Sequence, residues 1–347
     1  MALPIGNSAL DDVIMPRLDL VEERLRDAVT QSDRLADATS RHLVSAGGKR
    51  LRPMLALLTA QLGDGTRPEV VEAAVVAELT HLATLYHDDV MDSAPTRRGA
   101  PAAHEVWGNS VAILTGDLLF ARASRVVAGL GPEAVRIQAL TFERLCLGQL
   151  HETVGPADGE DPIAHYIQVL ADKTGSLIAT SARFGAMFAG CELSTVQQVT
   201  NYGELAGIAF QLADDVIDVR SDAETTGKTP GTDLRERVAT MPVLLLRARV
   251  ATGADAPAEP GGERVPLDAE SIERDRELLA AIDSDLTSDE ALEAVVKSLS
   301  GHPVVDQTAV LAHRWSQQAI DSIAKLPEGD VKDALVSFAQ ALVARAA

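Results

Sequence analysis

The sequence predicts an all-α protein, because helix-forming residues dominate it and the alternation typical of strands is missing. Hydrophobic residues make up 46% of the 347 residues, with Ala and Leu abundant throughout. Gly and Pro punctuate the chain at intervals, and no sustained period-2 runs of Val, Ile and Thr occur. A chain of this length fits two domains or one large helical domain equally well, and we expect a single domain over residues 1–347.

The individual elements follow from the spacing of these breakers, since apolar stretches between them are long enough for helices. The predicted helices cover residues 18–30, 34–45, 52–62, 68–91, 109–129, 132–151, 162–189, 194–219, 242–250, 271–284, 288–300, 306–325 and 329–346. Predicted loops cover residues 45–49, 93–101, 155–161 and 223–233. The segment at about 252–266, rich in Pro, Gly, Asp and Glu, is predicted to be a surface loop or a short insertion.

Composition excludes several classes of protein. The net charge of −20 argues against binding of nucleic acid and against electrostatic docking on anionic lipid. The sequence has no uncharged run of about 18 residues, so no membrane span is predicted. The N-terminus lacks the pattern of a secretory signal. Cys146 and Cys191 stand in apolar surroundings without metal-ligand spacing, which predicts buried thiols in a reducing cytoplasm.

Two acidic clusters are the most informative feature of the chain. Asp88, Asp89 and Asp92 lie in an apolar stretch that contains no Gly or Pro. The same Asp-Asp-X-X-Asp pattern returns in a second apolar stretch, at Asp214, Asp215 and Asp218. Residues at i and i+4 of a helix lie about 40° apart and i+1 about 100° away, so each triplet is expected to crowd one face. Such crowded carboxylates repel one another unless cations neutralise them.

An acidic triplet alone is commonly a solvated surface, in a chain with 51 Asp and Glu residues. The repetition favours function, because each triplet interrupts a strongly apolar helix. Carboxylate oxygens without His or Cys favour hard cations, Mg²⁺ above all when phosphates complete the coordination. Neither segment has the Gly-containing loop of an EF-hand. Facing each other, the two clusters would form a Mg²⁺–diphosphate clamp.

Basic residues accompany the acidic clusters. Gly47 and Gly48 precede Lys49, Arg50 and Arg52. A backbone able to turn tightly therefore lies beside several side chains that can donate hydrogen bonds to an anion. Taken alone, this segment also fits a Gly helix stop followed by solvated charges. The spacing of a P-loop is absent.

Further cations follow each aspartate helix. Arg97 and Arg98 come shortly after the first cluster, where they either balance its carboxylates or hold the phosphates that the metals bind. Lys173, on a mid-chain helix, and Lys228, after the second cluster, add two more. His81 lies seven residues before Asp88, which returns it to nearly the same helical face. His81 fits equally well as a core residue and as a hydrogen-bond donor to a phosphate.

Together these motifs resemble the trans-isoprenyl diphosphate synthases, the polyprenyl synthetase family. The resemblance runs from about residue 47 to residue 242. It rests on GGKRLRP at 47–53, HLATLYHDDVMD at 81–92, TRRGAP at 96–101, GD at 116–117, KTGSL at 173–177, FQLADDVID at 210–218, GKTPGTD at 227–233 and TMP at 240–242. The resemblance implies an isoprenoid synthase-type helical bundle around a deep central cavity, a homodimer, and trans head-to-tail condensation of isopentenyl diphosphate with an allylic diphosphate.

The resemblance also implies roles for individual residues. The six motif aspartates would hold two or three Mg²⁺ ions on the allylic diphosphate. The contacts to isopentenyl diphosphate would be Lys49, Arg52, His81 and Arg98. The allylic pocket would contain Arg97, Lys173, Thr174, Gln211 and Lys228, and the residues expected to act directly in catalysis are Asp88, Asp89, Asp92, Lys173, Asp214, Asp215 and Lys228.

Product length is expected to depend on the residues one turn before Asp88. Ala83 and Thr84 are both small, and so is Ala77, which lies about 16 Å from Asp88 along the helix. An open tunnel of that depth predicts a C30–C50 product of the kind used for quinone side chains, made from a farnesyl- or geranylgeranyl-type starter. We expect a cytoplasmic enzyme, loosely associated with membrane at most through its lipid product.

Three alternatives stay open. A short-chain farnesyl or geranylgeranyl diphosphate synthase would have the same motifs. A non-catalytic subunit of a heteromeric synthase would make product only after mixing with a partner. A class I terpene cyclase has Asn, Ser or Thr with Glu in its second metal motif and an aromatic cavity, whereas only 3% of this chain is aromatic.

Overall fold

The computed structural model describes residues 8–220, 230–255 and 264–344. The helices of these ranges are α1 (Ser8–Val29), α2 (Arg34–Ser45), α3 (Leu51–Ala60), α4 (Pro68–Met91), α5 (Ala103–Trp107), α6 (Asn109–Ala128), α7 (Pro132–Val154), α8 (Pro162–Leu170), α9 (Ser176–Phe188), α10 (Leu193–Arg220), α11 (Thr232–Arg235), α12 (Met241–Thr252), α13 (Ala269–Ile282), α14 (Asp289–Ser300), α15 (Pro303–Ser322) and α16 (Asp330–Val343). A π-helical turn, Ala171–Gly175, joins α8 to α9. Strands β1 (Thr96–Arg97) and β2 (Ala100–Pro101) pair antiparallel.

The all-α prediction is confirmed, and the differences from the predicted elements are local. The predicted helix over 162–189 is divided by the π turn. The predicted loop over 93–101 contains the β1–β2 hairpin, whose central residues Arg98 and Gly99 have φ of 54° and 77°. Positive φ at both central positions is what a two-residue type I′ hairpin requires. Helix α1 begins earlier than predicted and contains Pro16.

Contacts between Cα atoms divide the chain into two compact units. The first comprises Met1–Gln149, Ala171–Gly207 and Gln317–Ala341. The second comprises Leu150–Leu170, Ile208–Ser316 and Leu342–Ala347. The expectation of a single domain stays a prediction.

The core of the first unit is built around α4, which packs against α1, α3, α6 and α9. Its buried residues lie all around the helix, as expected for one enclosed by neighbours. The close approach of α3 to α9 depends on Gly185, where a Cβ would lie 2.0 Å from the carbonyl oxygen of Ala56. Thr59 Oγ1 joins the same two helices with a 3.0 Å hydrogen bond to the carbonyl of Ala182.

Helix α4 begins and is anchored for reasons visible in its sequence. Pro68 occupies the first turn, where its missing N–H costs no hydrogen bond. Near the other end, the buried hydroxyl of Tyr86 donates to the carbonyl of Thr39 at 2.5 Å and accepts from the N–H of Leu43 at 3.3 Å. These bonds tie the aspartate-bearing end of α4 to α2.

In the second unit, α12 packs against α8 and α13. Arg249 on α12 and Asp275 on α13 form a buried ion pair of 2.6 Å, and His302 lies 3.0 Å from the same carboxylate. An isolated bridge pairs Ala254 with Pro266 at the base of the predicted surface loop, of which residues 256–263 lie outside the described residues.

Two further expectations concern the cysteines and membrane-spanning helices. The prediction of two buried thiols is wrong for Cys146, because α7 presents that residue to solvent; Cys191 is partly buried, and both thiols are free. None of the helices in the described ranges is both long and apolar enough to span a membrane.

Candidate active site

The first aspartate motif lies at the end of α4, in the first unit. Asp88 and Asp92 are half-buried, whereas Asp89 is fully buried. Asp92 caps the helix, with its N–H donating to the carbonyl of Asp88 at 2.8 Å. The three aspartates therefore do not share one face: the middle carboxylate points into the protein, about 100° from its neighbour.

The β1–β2 hairpin brings Arg97 to the buried carboxylate. Arg97 Nε donates to Asp89 Oδ1 at 2.5 Å, while Asp89 Oδ2 is enclosed and has no hydrogen-bond partner among the described residues. Burial raises the pKa of Asp89, and the charge of Arg97 acts against that rise. Of the two roles expected for this arginine, balancing a carboxylate is the one that the structure shows.

The turn between α2 and α3 is shaped by glycine and by Arg98. Gly47 has a φ of 79°, which glycine adopts without strain. A Cβ on Gly48 would lie 2.9 Å from Cζ of Arg98, so a larger residue there would displace that guanidinium. Arg98 Nη1 donates to the carbonyls of Leu43, at 3.1 Å, and of Gly47. Lys49, at the same turn, is exposed.

Arg52 and His81 lie close to this turn in a dense group of cations. Burial lowers the pKa of Arg52 to about 10, with the carboxylate of Glu78 opposing the change and Arg98 adding to it. Arg52 Nε is enclosed and has no partner in the described part of the chain. Burial, with the charges of Arg52 and Arg98, lowers the pKa of His81 well below its usual range. A neutral His81 beside an under-partnered arginine suits the binding of an anion.

Lys173 and Thr174 lie in the π turn, which departs from regular helix at a place typical of functional sites. Arg144 supports this turn: its Nε donates to Asp172 at 2.6 Å, and its two other nitrogens bind the carboxylate of Glu204 at 3.0 and 3.1 Å. Gly148 allows close packing, because a Cβ there would lie 2.7 Å from the backbone nitrogen of Lys173.

The second aspartate motif lies on α10, in the second unit. Asp214 and Asp218 are half-buried, and Asp215 is 1% exposed. Asp215 Oδ2 accepts hydrogen bonds from the hydroxyl of Tyr166, at 3.0 Å, and from the N–H of Met241, at 3.2 Å. Burial and the nearby carboxylate of Asp233 raise the pKa of Asp215 well above its usual range. The second motif thus has the same pattern as the first: two half-buried outer aspartates and one buried middle aspartate.

The donor set of both motifs fits a hard divalent cation. In each motif the outer two aspartates are four residues apart on one helix and half-buried, so their carboxylates can turn toward one ion. Enclosed Asp89 Oδ2 and Asp215 Oδ1 have no partner among the described residues. Within those residues, no three His, Cys, Asp or Glu side chains already stand together as a finished metal site.

The remaining expected site residues are placed as follows. Gln211 is half-buried on α10. Ala83 is fully buried on α4 near Gly116 of α6, and Thr84 is half-buried, with its hydroxyl bonded to the carbonyl of His81 at 2.8 Å. Lys228 lies outside the described residues.

Sequence reasoning missed the residues that support the site. Glu78 and Tyr166 are buried polar residues in apolar helical stretches, and such residues need partners. Their position within apolar helical stretches is the sequence signal that could have identified them. The role of Arg144, which is partly exposed on a helix with many charges, had no such signal.

Comparison with known proteins identifies the family of this chain. The sequence model of the polyprenyl synthetase family matches residues 33–256. The nonaprenyl diphosphate synthase of Mycobacterium tuberculosis is 47% identical over 243 residues, which are 69% of this chain and 72% of that protein.

Two solved structures are similar over almost their whole length. A polyprenyl synthase from Caulobacter crescentus, complexed with calcium and isoprenyl diphosphate, has a TM-score of 0.85 and 30% identity, with 97% of each chain covered. A geranylgeranyl pyrophosphate synthase from Corynebacterium glutamicum, complexed with the same two ligands, has a TM-score of 0.80 and 38% identity, with 99% of each chain covered. The chain belongs to the polyprenyl synthetase family and is a prenyltransferase of the isoprenyl diphosphate synthase type.

Proposed function

We propose that the protein is a Mg²⁺-dependent polyprenyl diphosphate synthase that adds isopentenyl diphosphate units to an allylic diphosphate and releases a C30–C50 product. The observation that carries this proposal is the pair of aspartate motifs on α4 and α10, accompanied by the cations of the α2–α3 turn, the hairpin and the π turn. The calcium and isoprenyl diphosphate in the Caulobacter relative support a divalent metal and a diphosphate ligand.

The residues of the chain then have distinct tasks. Lys49, Arg52, His81 and Arg98 bind the diphosphate of isopentenyl diphosphate through charge-assisted and neutral hydrogen bonds. Lys173, Thr174, Gln211 and Lys228, with the N–H groups of Arg97 that Asp89 does not use, bind the allylic diphosphate. The outer aspartates, Asp88, Asp92, Asp214 and Asp218, would hold the metal, and the buried Asp89 and Asp215 would join them once their side chains turn from the protein interior toward the ion.

The chemistry proceeds by loss of the allylic diphosphate. Bound Mg²⁺ would neutralise the charge that develops on this leaving group. Lys173 and Arg97 stabilise the same charge as the C–O bond breaks. The double bond of isopentenyl diphosphate attacks the allylic carbon, a new C–C bond forms, and a proton is lost to the departed diphosphate. Apolar side chains keep water from the cation.

A long product is supported by the small residues before Asp88. None of Ala77, Ala83 and Thr84 has a bulky side chain that would close a tunnel along α4, although Ala77 and Ala83 are buried in this structure. The 47% identical relative is a nonaprenyl diphosphate synthase. The Corynebacterium relative, a geranylgeranyl pyrophosphate synthase at 38% identity, favours the alternative of a short product. We propose the long product, with a quinone side chain as its use.

We further propose a homodimer. Helix α7 leaves Leu140, Leu147 and Val154 exposed by 47%, 43% and 81%, at intervals of seven residues. Leu150, between them, is 57% exposed. A seven-residue apolar repeat on an uncovered helix is typical of packing against another helix, here of a second copy.

The activity is tested by incubating the purified chain with Mg²⁺, labelled isopentenyl diphosphate, and farnesyl or geranylgeranyl diphosphate. Products are dephosphorylated and separated by chromatography. We expect prenyl alcohols in the C30–C50 range from the chain alone. Products that stop at C15 or C20 would establish a short-chain synthase, and no product without a partner protein would establish a subunit of a heteromeric enzyme.

A further inference from the structure

Glu78 is a buried carboxylate among the arginines of the proposed isopentenyl diphosphate site. It lies on α4, about one turn before His81, and is 2% exposed. Its Oε1 accepts a 2.7 Å hydrogen bond from Nη1 of Arg50 and lies 3.8 Å from Nη2 of Arg98. One carboxylate therefore holds cations from two separate segments of the chain.

The hydrogen bond from Arg50 to Glu78 anchors the α2–α3 turn. Arg50 has a φ of 51°, a left-handed conformation that a non-glycine residue adopts at a cost. Its buried guanidinium is held by Glu78, by Glu22 of α1 and by the carbonyl of Val44. Because Arg50 lies directly after Lys49 and two residues before Arg52, its anchoring determines where both of those cations stand.

The ion pair between Glu78 and Arg98 positions the β1–β2 hairpin. Arg98 reaches from its turn over Gly48, where its guanidinium binds the carbonyls of Leu43 and Gly47. The negative charge of Glu78 offsets the repulsion between the Arg50 and Arg98 guanidiniums, which lie close to the same carboxylate. The hairpin and the α2–α3 turn thus meet around Glu78.

We propose that Glu78 is a positioning residue: it holds the Arg50 and Arg98 guanidiniums, and with them Lys49 and Arg52, in the geometry that binds the diphosphate of isopentenyl diphosphate. This inference rests on the proposed function. A carboxylate also repels a diphosphate, so its removal has two opposing effects. Positioning is the larger, because Arg50 and Arg98 are buried or nearly so, and Arg98 would lose the carboxylate that it approaches while Arg50 would lose one of its two.

The test is Glu78→Gln, which keeps the side-chain shape and removes the charge. Steady-state kinetics are measured with each substrate varied in turn. We expect the KM for isopentenyl diphosphate to rise about tenfold or more, as for loss of a charge-assisted contact. The KM for the allylic diphosphate and kcat at saturation should be unchanged, which a general loss of structure would not produce.

Glu72→Gln is the matched control. Glu72 lies on the same helix and pairs with Arg24 of α1 at 2.7 Å, so it is also a carboxylate joining α4 to an arginine. The ion pair and hydrogen bond that Glu72 forms in the described part of the chain go to Arg24, outside the site, so the KM values of Glu72→Gln should equal those of the wild type. An equal rise of the isopentenyl diphosphate KM in both variants would overturn the proposal.

Calorimetric titration with isopentenyl diphosphate alone separates this inference from the proposed function. A wild-type chain that forms no prenyl product contradicts the proposed function. Equal or tighter binding of isopentenyl diphosphate by Glu78→Gln contradicts the role of Glu78. Should Glu78→Gln fail to fold, Glu78→Asp, which keeps the charge but shortens its reach, should still weaken binding; unchanged affinity in that variant would also overturn the proposal.

Discussion

The hydroxyl of Tyr166 donates a 3.0 Å hydrogen bond to Asp215, the middle residue of the second aspartate motif. The N–H of Met241 donates to the same carboxylate oxygen at 3.2 Å. The first motif has the same arrangement, with Arg97 bound to the buried Asp89. In both motifs, protein groups hold the middle carboxylate in place between two half-buried aspartates.

The buried Asp215 should make the metal-free protein less stable as the pH rises. Because its folded pKa is raised, the folded state keeps the proton that the unfolded state releases near pH 4. The resulting stability is present below about pH 4 and is lost as the pH rises through the folded pKa. The side chain of Asp215→Asn cannot ionise. Its free energy of unfolding should therefore increase relative to that of the wild type as the pH rises, by about 1.4 kcal/mol per unit of pKa shift.

Urea unfolding in EDTA at pH 4 and pH 7 measures this effect. A constant offset between variant and wild type is allowed, since the amide changes the local hydrogen bonds. The same offset at both pH values would show that Asp215 ionises as easily in the folded chain as in the unfolded one.

Activity should depend on a divalent metal and on the outer aspartates. Asp88→Ala or Asp214→Ala removes one carboxylate of a motif, and we expect turnover to fall about 100-fold or more, because the charge on the leaving diphosphate is no longer neutralised. Excess EDTA should abolish turnover and Mg²⁺ should restore it. Asp19→Ala, at an exposed position on α1, is the control and should have wild-type activity. Full activity in EDTA or in either motif variant would exclude this metal site.

Neutralising Arg52 should weaken binding of isopentenyl diphosphate. Its pKa of about 10 leaves it charged at neutral pH, and it has an enclosed nitrogen available for an anion. Arg52→Ala should lose about 1.5–3 kcal/mol of binding, or roughly 10- to 150-fold in the KM for this substrate. Arg136→Ala, which breaks an exposed pair with Glu133 on α7, serves as the control in the same assay. Wild-type kinetics for both substrates in Arg52→Ala would remove Arg52 from the site.

Phe at the predicted floor of the tunnel should shorten the product. Ala83→Phe places a ring one turn before Asp88, where it would block the growing chain. Because Ala83 is fully buried beside α6, the ring can also strain the packing by about 1–3 kcal/mol. Thr84→Phe is the second test, since Thr84 is half-buried and has room for a larger side chain. Chromatography of the products decides: unchanged length in both folded variants contradicts the tunnel along α4.

A charge on the exposed face of α7 should disrupt a homodimer. Leu147→Glu places a carboxylate within the seven-residue apolar repeat, and burying it against a second copy is unfavourable. Light scattering after size exclusion should give a dimer for the wild type and a monomer for the variant. Val310→Glu, at a comparably exposed apolar position on α15, should remain a dimer. A wild-type monomer would rule out the proposed assembly.

The sequence by itself determined the helical class, most helix positions and the two aspartate motifs. Helix α4 begins at Pro68 and ends at Met91, as predicted, because a proline start and a long apolar stretch are local signals. The motifs were found for the same reason: two Asp-Asp-X-X-Asp patterns in apolar helices are visible without any knowledge of contacts.

The tertiary structure decided which motif residues are buried and what supports them. The buried Asp89 is bound by Arg97, and the buried Asp215 by Tyr166 and Met241, which are 49 and 26 residues away in sequence. The π turn depends on Arg144, 28 and 60 residues from its two carboxylate partners. Local propensity contains no information about such pairs, because a buried charge selects its partner through the three-dimensional packing that desolvates it.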